Sequence, residues 1–297
     1  MPAALYAHRL GRAYGPDSSG TALARALQRP LDGLETDCCL TADGELVLLH
    51  DPLLEVGTTL SGWAHERTAA EILAGRLRHP NGTPSDERPL LLNELLELAP
   101  PGVTLQLEVK AHADPALARH TARALCERLR DHPSREQTEV LSFWSGACEL
   151  AAELGFRTRL VMIAEYRIHA LAAWGRRVGL HGVCVEHILL SRALVATLRA
   201  FGLSVTTGTV NHAALLEPLL WLGLDAITSD SPHELQRALS ELYEAEPLAA
   251  SLQRPSRPER SAGPCCVSSR AVARGAPRSP VAFQGEGDIL RPVASGR

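Results

Sequence analysis

Glu35 and Asp37 stand two residues apart. In an extended strand, residues i and i+2 face the same side, so the two carboxylates converge. The turn signal Asp43-Gly44 follows, and then the apolar run Leu46-Val47-Leu48-Leu49, which ends at His50-Asp51. An Asp-Gly loop between two short apolar strands reads as a hairpin, and a hairpin here folds the His50 imidazole back toward the acid pair. Carboxylate oxygens suit a hard divalent cation, and a nearby imidazole suits acid–base chemistry.

More chemistry-bearing side chains end other apolar runs. His8-Arg9 follows Leu5-Tyr6-Ala7, and Glu108 and Lys110 close the run that starts at Thr104. Lys110 is the only lysine beside 29 arginines. A compact ammonium can enter a tight site beside a phosphate or carboxylate where the planar guanidinium fork does not fit.

The elements that must position these residues follow a regular pattern. The expected strands are Leu5–Arg9, Leu34–Asp37, Thr104–Lys110, Thr138–Phe143, Arg159–Ile163, Gly182–Glu186, Ser204–Thr209 and Ala226–Thr228. Amphipathic stretches separate them, among them Pro115–Arg130, Ile168–Val178 and Ser191–Phe201. Alternating strand and helix means parallel strands with crossover helices, whereas the hairpin partner at Leu46–His50 must run antiparallel and falls outside the set. Eight parallel strands with helices predict a TIM (β/α)8 barrel over residues 1–245, with a small insertion at 53–88 after the second strand. From about Glu246 the composition turns to Pro, Arg, Ser and Gly without periodicity, and 246–297 reads as a disordered basic tail. In such a barrel the active site lies at the C-terminal ends of the strands, where His8, Arg9, Glu35, Asp37, Glu108 and Lys110 all fall.

Composition narrows the function classes. The net charge of −4 conceals an asymmetry, because from Ser251 onward eight Arg face only Glu259, Glu286 and Asp288. The body is therefore strongly acidic, which argues against nucleic acid as a partner. No apolar run reaches the roughly 18–20 residues that span a bilayer, and the N-terminus has no leader pattern. The seven cysteines have no C-x-x-C spacing, so neither a zinc site nor a disulfide framework is expected. A cytoplasmic location is the expectation; the oligomeric state is not encoded in these features.

The ordered set H-R, E-x-D, L-T-x-D-G-x-L-V-x-x-H-D, E-x-K, T-V-N and x-I-T-S-D-x-P resembles the glycerophosphodiester phosphodiesterase family, from about Leu5 to Leu239. The resemblance implies a TIM barrel that hydrolyses a small glycerophosphodiester to glycerol 3-phosphate and an alcohol with a divalent cation. Mapped position by position, it makes Glu35, Asp37 and Glu108 the metal ligands, His8 and His50 the acid–base pair, and Arg9 and Lys110 the phosphate-contacting cations. A ligand set of three carboxylates suits Mg2+ or Ca2+. The favoured division has His50 as acid and His8 as base.

Three positions depart from the family pattern. The usual glycine after H-R is Leu10, which is expected to add bulk beside the phosphate site. The P-E-N-T segment is Pro16-Asp17-Ser18-Ser19, and the aromatic before T-V-N is Gly208, with Phe143-Trp144 as its candidate replacement. Of the other polar residues at strand ends, His112 reads as solvent-facing, Glu186-His187 as a possible lining, and Asp230 as a helix cap or loop residue. The competing readings are a related phospholipase C- or D-like enzyme acting on lysophospholipids, and a barrel that binds phosphodiesters without turning them over.

Overall fold

A computed structural model describes residues 3–112 and 114–252. Nine strands form one sheet: β1 (Ala4–Ala7), β2 (Gly33–Leu40), β3 (Leu46–Leu48), β4 (Thr104–Val109), β5 (Thr138–Ser142), β6 (Arg157–Met162), β7 (Gly182–Glu186), β8 (Ser204–Gly208) and β9 (Ala226–Ser229). Their order is β1-β9-β8-β7-β6-β5-β4-β2-β3, and β1 also pairs with β2, so eight parallel strands close into a barrel. β3 lies outside the ring as the antiparallel partner of β2, with Cys38 opposite Leu48. The fold is thus the TIM barrel that the alternation of strand and helix predicts. No helix among the described residues is long and apolar enough to cross a membrane.

The barrel strands are buried on both faces, and among the polar side chains they carry there Gln106 and Arg159 are paired with Glu139. The Pro115–Leu129 helix shows how the outer layer is specified. Asp114 caps its start by accepting from the amides of Ala116 and Leu117, and Ala118, Ala122, Leu125 and Leu129 bury one face. The hairpin turn passes through Gly44 at φ +82°, a conformation that glycine adopts without a Cβ clash.

The insertion holds the hairpin in place. Short helices at Leu54–Gly57 and Ala69–Leu73 lie within it, and Leu54, Ala64, Ile72 and Leu77 form a small core with Cys39, Val47 and Leu49 of the hairpin. The loop that delivers His50 is therefore packed from behind.

Two sequence expectations need correction. The first strand stops at Ala7, and His8–Leu10 forms a tight turn with Arg9 at φ +46° and Leu10 at φ +61°. The amide of Arg9 donates to Glu35 Oε2 at 3.0 Å, and Gly11 N donates to His8 O at 2.8 Å, which draws the chain out of the sheet. The expected boundary at Glu246 falls inside a helix that runs Pro232–Leu252, where Ala, Leu and Glu favour helix. Residues 253–297, most of the expected tail, lie outside the described residues.

The turn also relocates Leu10. Its side chain is fully buried in the core with Leu23, Ala26 and Leu34, and it does not line the cavity that holds the charged residues. A left-handed backbone costs a non-glycine residue about 1–2 kcal/mol, whereas truncating a buried leucine costs about 2–5 kcal/mol. Leu10→Gly, which restores the family's usual residue, is therefore expected to destabilise the protein by about 1–3 kcal/mol. A denaturant titration would measure it, and a stabilised variant would show that strain outweighs packing.

Candidate active site

The acid pair faces inward from β2, as period-two geometry requires. Glu108 on β4 lies directly opposite Asp37 in the parallel register. One oxygen from each of Glu35, Asp37 and Glu108 lies within 4.8 Å of the others, and all three residues are buried. Lys110 Nζ is 3.0 Å from Asp37 Oδ1 and 2.5 Å from Glu108 Oε1, and Arg9 Nε is 3.8 Å from Asp37 Oδ2. Asp37 Oδ2 is buried without a hydrogen-bond partner. An unpaired carboxylate oxygen in such a cluster suits a divalent cation, because burial without a partner is otherwise costly. The three acids thus fit the metal that the sequence resemblance implies.

Arg9 is held by Asp17, which accepts from Arg9 Nη1 at 2.5 Å and from Arg12 Nε at 2.9 Å. His50 leaves the end of the hairpin with Nδ1 3.0 Å from Asp51 Oδ2. His8 leaves β1 with Nδ1 2.6 Å from Asp230 Oδ1, and its Nε2 is 3.9 Å from Glu35 Oε2.

All seven residues singled out in the sequence (His8, Arg9, Glu35, Asp37, His50, Glu108 and Lys110) line one cavity of about 190 Å3 at the C-terminal end of the barrel. An apolar wall, formed by Leu141, Phe143, Val161 and Ile163 of β5 and β6 and their exits, adjoins the charged cluster, with Leu141 beside Glu108 in the register. Phe143 is 40% exposed and Ile163 57%, and the Lys110 ammonium lies 5.5 Å from the Phe143 ring centroid. A larger hollow of about 390 Å3 opens at the other end of the barrel, lined by Gly155, Arg157, Gly179 and His181. Arg157 there is paired with Glu139 at 2.5 Å, and no acid is among the residues that line this hollow.

Among the remaining candidates, Glu186 and Gly208 line the cavity, with His187 Nδ1 2.8 Å from Glu186 Oε1. A Cβ at Gly208 would stand 3.1 Å from Thr228 Cβ. His112 is exposed, as expected, and its ring lies tilted against Trp63, with the centroids 4.1 Å apart. Asp230 is the loop residue expected, between β9 and the Pro232–Leu252 helix, and its side chain in addition engages His8. Asp17 and Asn211, which hold Arg9 and Asp230, and the polar lining residues Gln106, Thr209 and Thr228 were likewise not assigned from the sequence.

The ionisation pattern follows from crowding. Burial and the neighbouring Asp37 raise the Glu35 pKa. Burial pushes Glu108 up to about 7 even beside Lys110. Asp37 moves down, because Lys110, His50 and Arg9 outweigh its burial. For His8, burial opposes protonation, but the hydrogen bond to Asp230 and the charge of Glu35 prevail and raise its pKa. Burial lowers the His50 pKa, with Lys110 and Arg9 adding to the effect against the pull of Asp37.

A cation entering this cluster must displace the proton of Glu108. Its affinity is therefore expected to weaken by about tenfold for each pH unit below about 7, and to level off above it. Calorimetric titration with Mg2+ and with Ca2+ between about pH 5.5 and 8.5 measures this slope. A flat profile would remove Glu108 from the ligand set.

Comparison with known proteins agrees with the geometry. The sequence pattern of the Glycerophosphoryl diester phosphodiesterase family matches residues 8–234. A glycerophosphodiester phosphodiesterase of Bacillus altitudinis is 25% identical over 246 residues, covering 80% of this chain and 98% of its own length. Human glycerophosphodiester phosphodiesterase domain-containing protein 5 is 27% identical over 283 residues, which cover 81% of this chain and 43% of that protein. Among solved structures, an Oleispira antarctica phosphodiesterase in complex with the product sn-glycerol-3-phosphate superimposes with a TM-score of 0.71 at 24% identity. That match covers 80% of this chain and 97% of the other.

Proposed function

The chain belongs to the glycerophosphoryl diester phosphodiesterase family, and from that premise we propose that it hydrolyses glycerophosphodiesters to glycerol 3-phosphate and an alcohol, with a divalent cation held by Glu35, Asp37 and Glu108. The observation that carries this reading is the meeting of three acids, two fixed cations and two imidazoles in one cavity. Fully ionised, the three carboxylates exceed Arg9 and Lys110 by one negative charge, and Asp17 neutralises Arg9 further. Such a site repels an anionic phosphodiester, and a divalent cation reverses the balance. Mg2+ or Ca2+ suits the oxygen-only ligand set, and the cation would supply charge neutralisation at the phosphoryl oxygens.

The protein's own groups supply the rest. Arg9 and Lys110 orient the phosphoryl group and hold positive charge where negative charge grows during displacement. His8 takes the proton of the attacking oxygen and His50 gives a proton to the departing alkoxide. Burial and the charged neighbours move the two rings apart, His8 upward and His50 downward, so the pair differs in proton affinity. A small water-soluble substrate of this kind agrees with action in the cytoplasm. The exposed Phe143 and Ile163 favour a second substrate group for the same chemistry, lysophospholipids, whose chain would follow the apolar wall.

The test is release of glycerol 3-phosphate from glycerophosphocholine and glycerophosphoethanolamine, with Mg2+, with Ca2+ and with EDTA. Release that requires a cation and stops with EDTA is expected. Release that survives EDTA would remove the cation from the reading. No release with either ion from folded protein would remove hydrolysis of these substrates, and choline release from lysophosphatidylcholine would then decide for the second group.

A further inference from the structure

The stretches Thr209-Val210-Asn211 and Thr228-Ser229-Asp230 leave the neighbouring strands β8 and β9, and the reading above gives them no task. In the structure they join into one assembly. Asn211 Nδ2 donates to Asp230 Oδ2 at 2.7 Å, and Asn211 Oδ1 accepts from the Asp230 amide at 2.9 Å and from Ser229 Oγ at 3.2 Å. The other carboxylate oxygen, Asp230 Oδ1, lies 2.6 Å from His8 Nδ1.

We propose that Asp230, clamped by Asn211, is a positioning residue that fixes His8 in the tautomer with its proton on Nδ1, leaving the Nε2 lone pair as the proton acceptor. The catalytic part of this rests on the reading of His8 as a base; the tautomer does not. An ionised carboxylate only accepts hydrogen bonds, so a contact of this length places the proton on Nδ1. Nε2 then points to the side of the ring where Glu35 and the acid cluster lie, 3.9 Å from Glu35 Oε2. The remaining contacts of the ring, two at 3.4 Å to Thr209 Oγ1, are too long to set its tautomer. When Nε2 takes up a proton, Asp230 also stabilises the imidazolium that results.

The clamp makes the substitution D230N informative. Asn211 Nδ2 requires an acceptor, so the new amide turns its oxygen toward Asn211 and presents its N–H2 to His8 Nδ1. That contact favours the opposite tautomer, with the proton on Nε2, while volume and backbone contacts are kept.

The experiment is 15N NMR of the histidines at about pH 9, above the usual imidazole range, with the His8 signals assigned by their loss in His8→Gln. Wild type is expected to carry the proton on Nδ1 and D230N on Nε2. With glycerophosphocholine, kcat of D230N is expected to fall about 10²–10⁴-fold, with KM within threefold and an unchanged melting temperature. Asn211→Ala leaves the carboxylate in place and is expected to lose less activity while keeping the wild-type tautomer, which covers the case of a D230N that fails to fold. The same tautomer in wild type and D230N, an Nε2–H tautomer in wild type, or a kcat for D230N within threefold of wild type would each overturn the proposal. If wild type cleaves no phosphodiester, the base role falls with the proposed function, and the NMR result still decides whether Asp230 sets the ring.

Discussion

His50→Ala is expected to lower kcat on glycerophosphocholine by about two to four orders of magnitude, and His8→Ala by a comparable factor, with the cation still bound. The fold should survive both changes. His50 is partly exposed on a loop whose apolar core lies behind it, and its ring hydrogen-bonds to the adjacent Asp51. The two variants separate when the leaving group is changed. An alkoxide such as choline departs slowly unless it receives a proton, whereas p-nitrophenolate is stable without one. On the p-nitrophenyl ester of glycerol phosphate, His50→Ala is therefore expected to recover to within about tenfold of wild type. His8→Ala should stay impaired on both substrates, because activation of the attacking oxygen does not depend on what departs. The opposite pattern would exchange the two roles, and near-normal rates for both variants on glycerophosphocholine would end the two-histidine reading.

What the sequence revealed and what it hid separate by the range of the interaction. Glu35 and Asp37 were legible because strand geometry is local: two residues apart means one face, whatever the barrel does. His50 was legible because Asp43-Gly44 between apolar runs specifies a turn, and the eight strands because a parallel neighbour needs a crossover. The bond from His8 to Asp230 spans 222 positions and exists only because closure of the barrel sets β9 beside β1. A signal was present, since Asn211 and Asp230 both stand at strand exits where a barrel carries its chemistry, but Asp230 before Ser231-Pro232 also looks like the start of a helix. The turn at His8–Leu10 was hidden for a related reason. Leu-Tyr-Ala-His-Arg-Leu favours extension locally, and the hydrogen bond from Arg9 to Glu35, which redirects it, comes from another strand. Leu10 illustrates the consequence: one backbone reversal sends a side chain expected beside the phosphate into the core.

Glu108→Gln and Asp37→Asn should both weaken cation binding on the order of a hundredfold or more, because each removes one of three charged ligands. They should affect the metal-free protein in opposite directions. The folded-state pKa of Glu108, about 7, lies above its unfolded value, so the folded protein binds more protons and loses stability as pH rises from about 4.5 to 7. At about pH 8 a neutral amide at this position removes a like-charge neighbour of Asp37 and Glu35, and Glu108→Gln is expected to leave metal-free stability unchanged or raised. Asp37 has a folded-state pKa below its unfolded value, held there by Lys110, His50 and Arg9 against the effect of burial. Its charge therefore stabilises the fold above the ordinary carboxylate range, and Asp37→Asn leaves Lys110 and Arg9 with one fewer counter-charge in a buried site. Asp37→Asn should lower the metal-free melting temperature at about pH 8, whereas Glu108→Gln should not. Thermal unfolding in EDTA at about pH 5 and pH 8, beside calorimetric cation titration, separates the effects. A similar destabilisation by both changes would mean that the cluster is a structural ion-pair network, and retained cation affinity in both would place the binding site elsewhere. The expected divergence is that of a site built for a cation: the fixed charges keep Asp37 ionised while its Oδ2 stays unpaired, and below about pH 7 Glu108 keeps its proton until a metal displaces it.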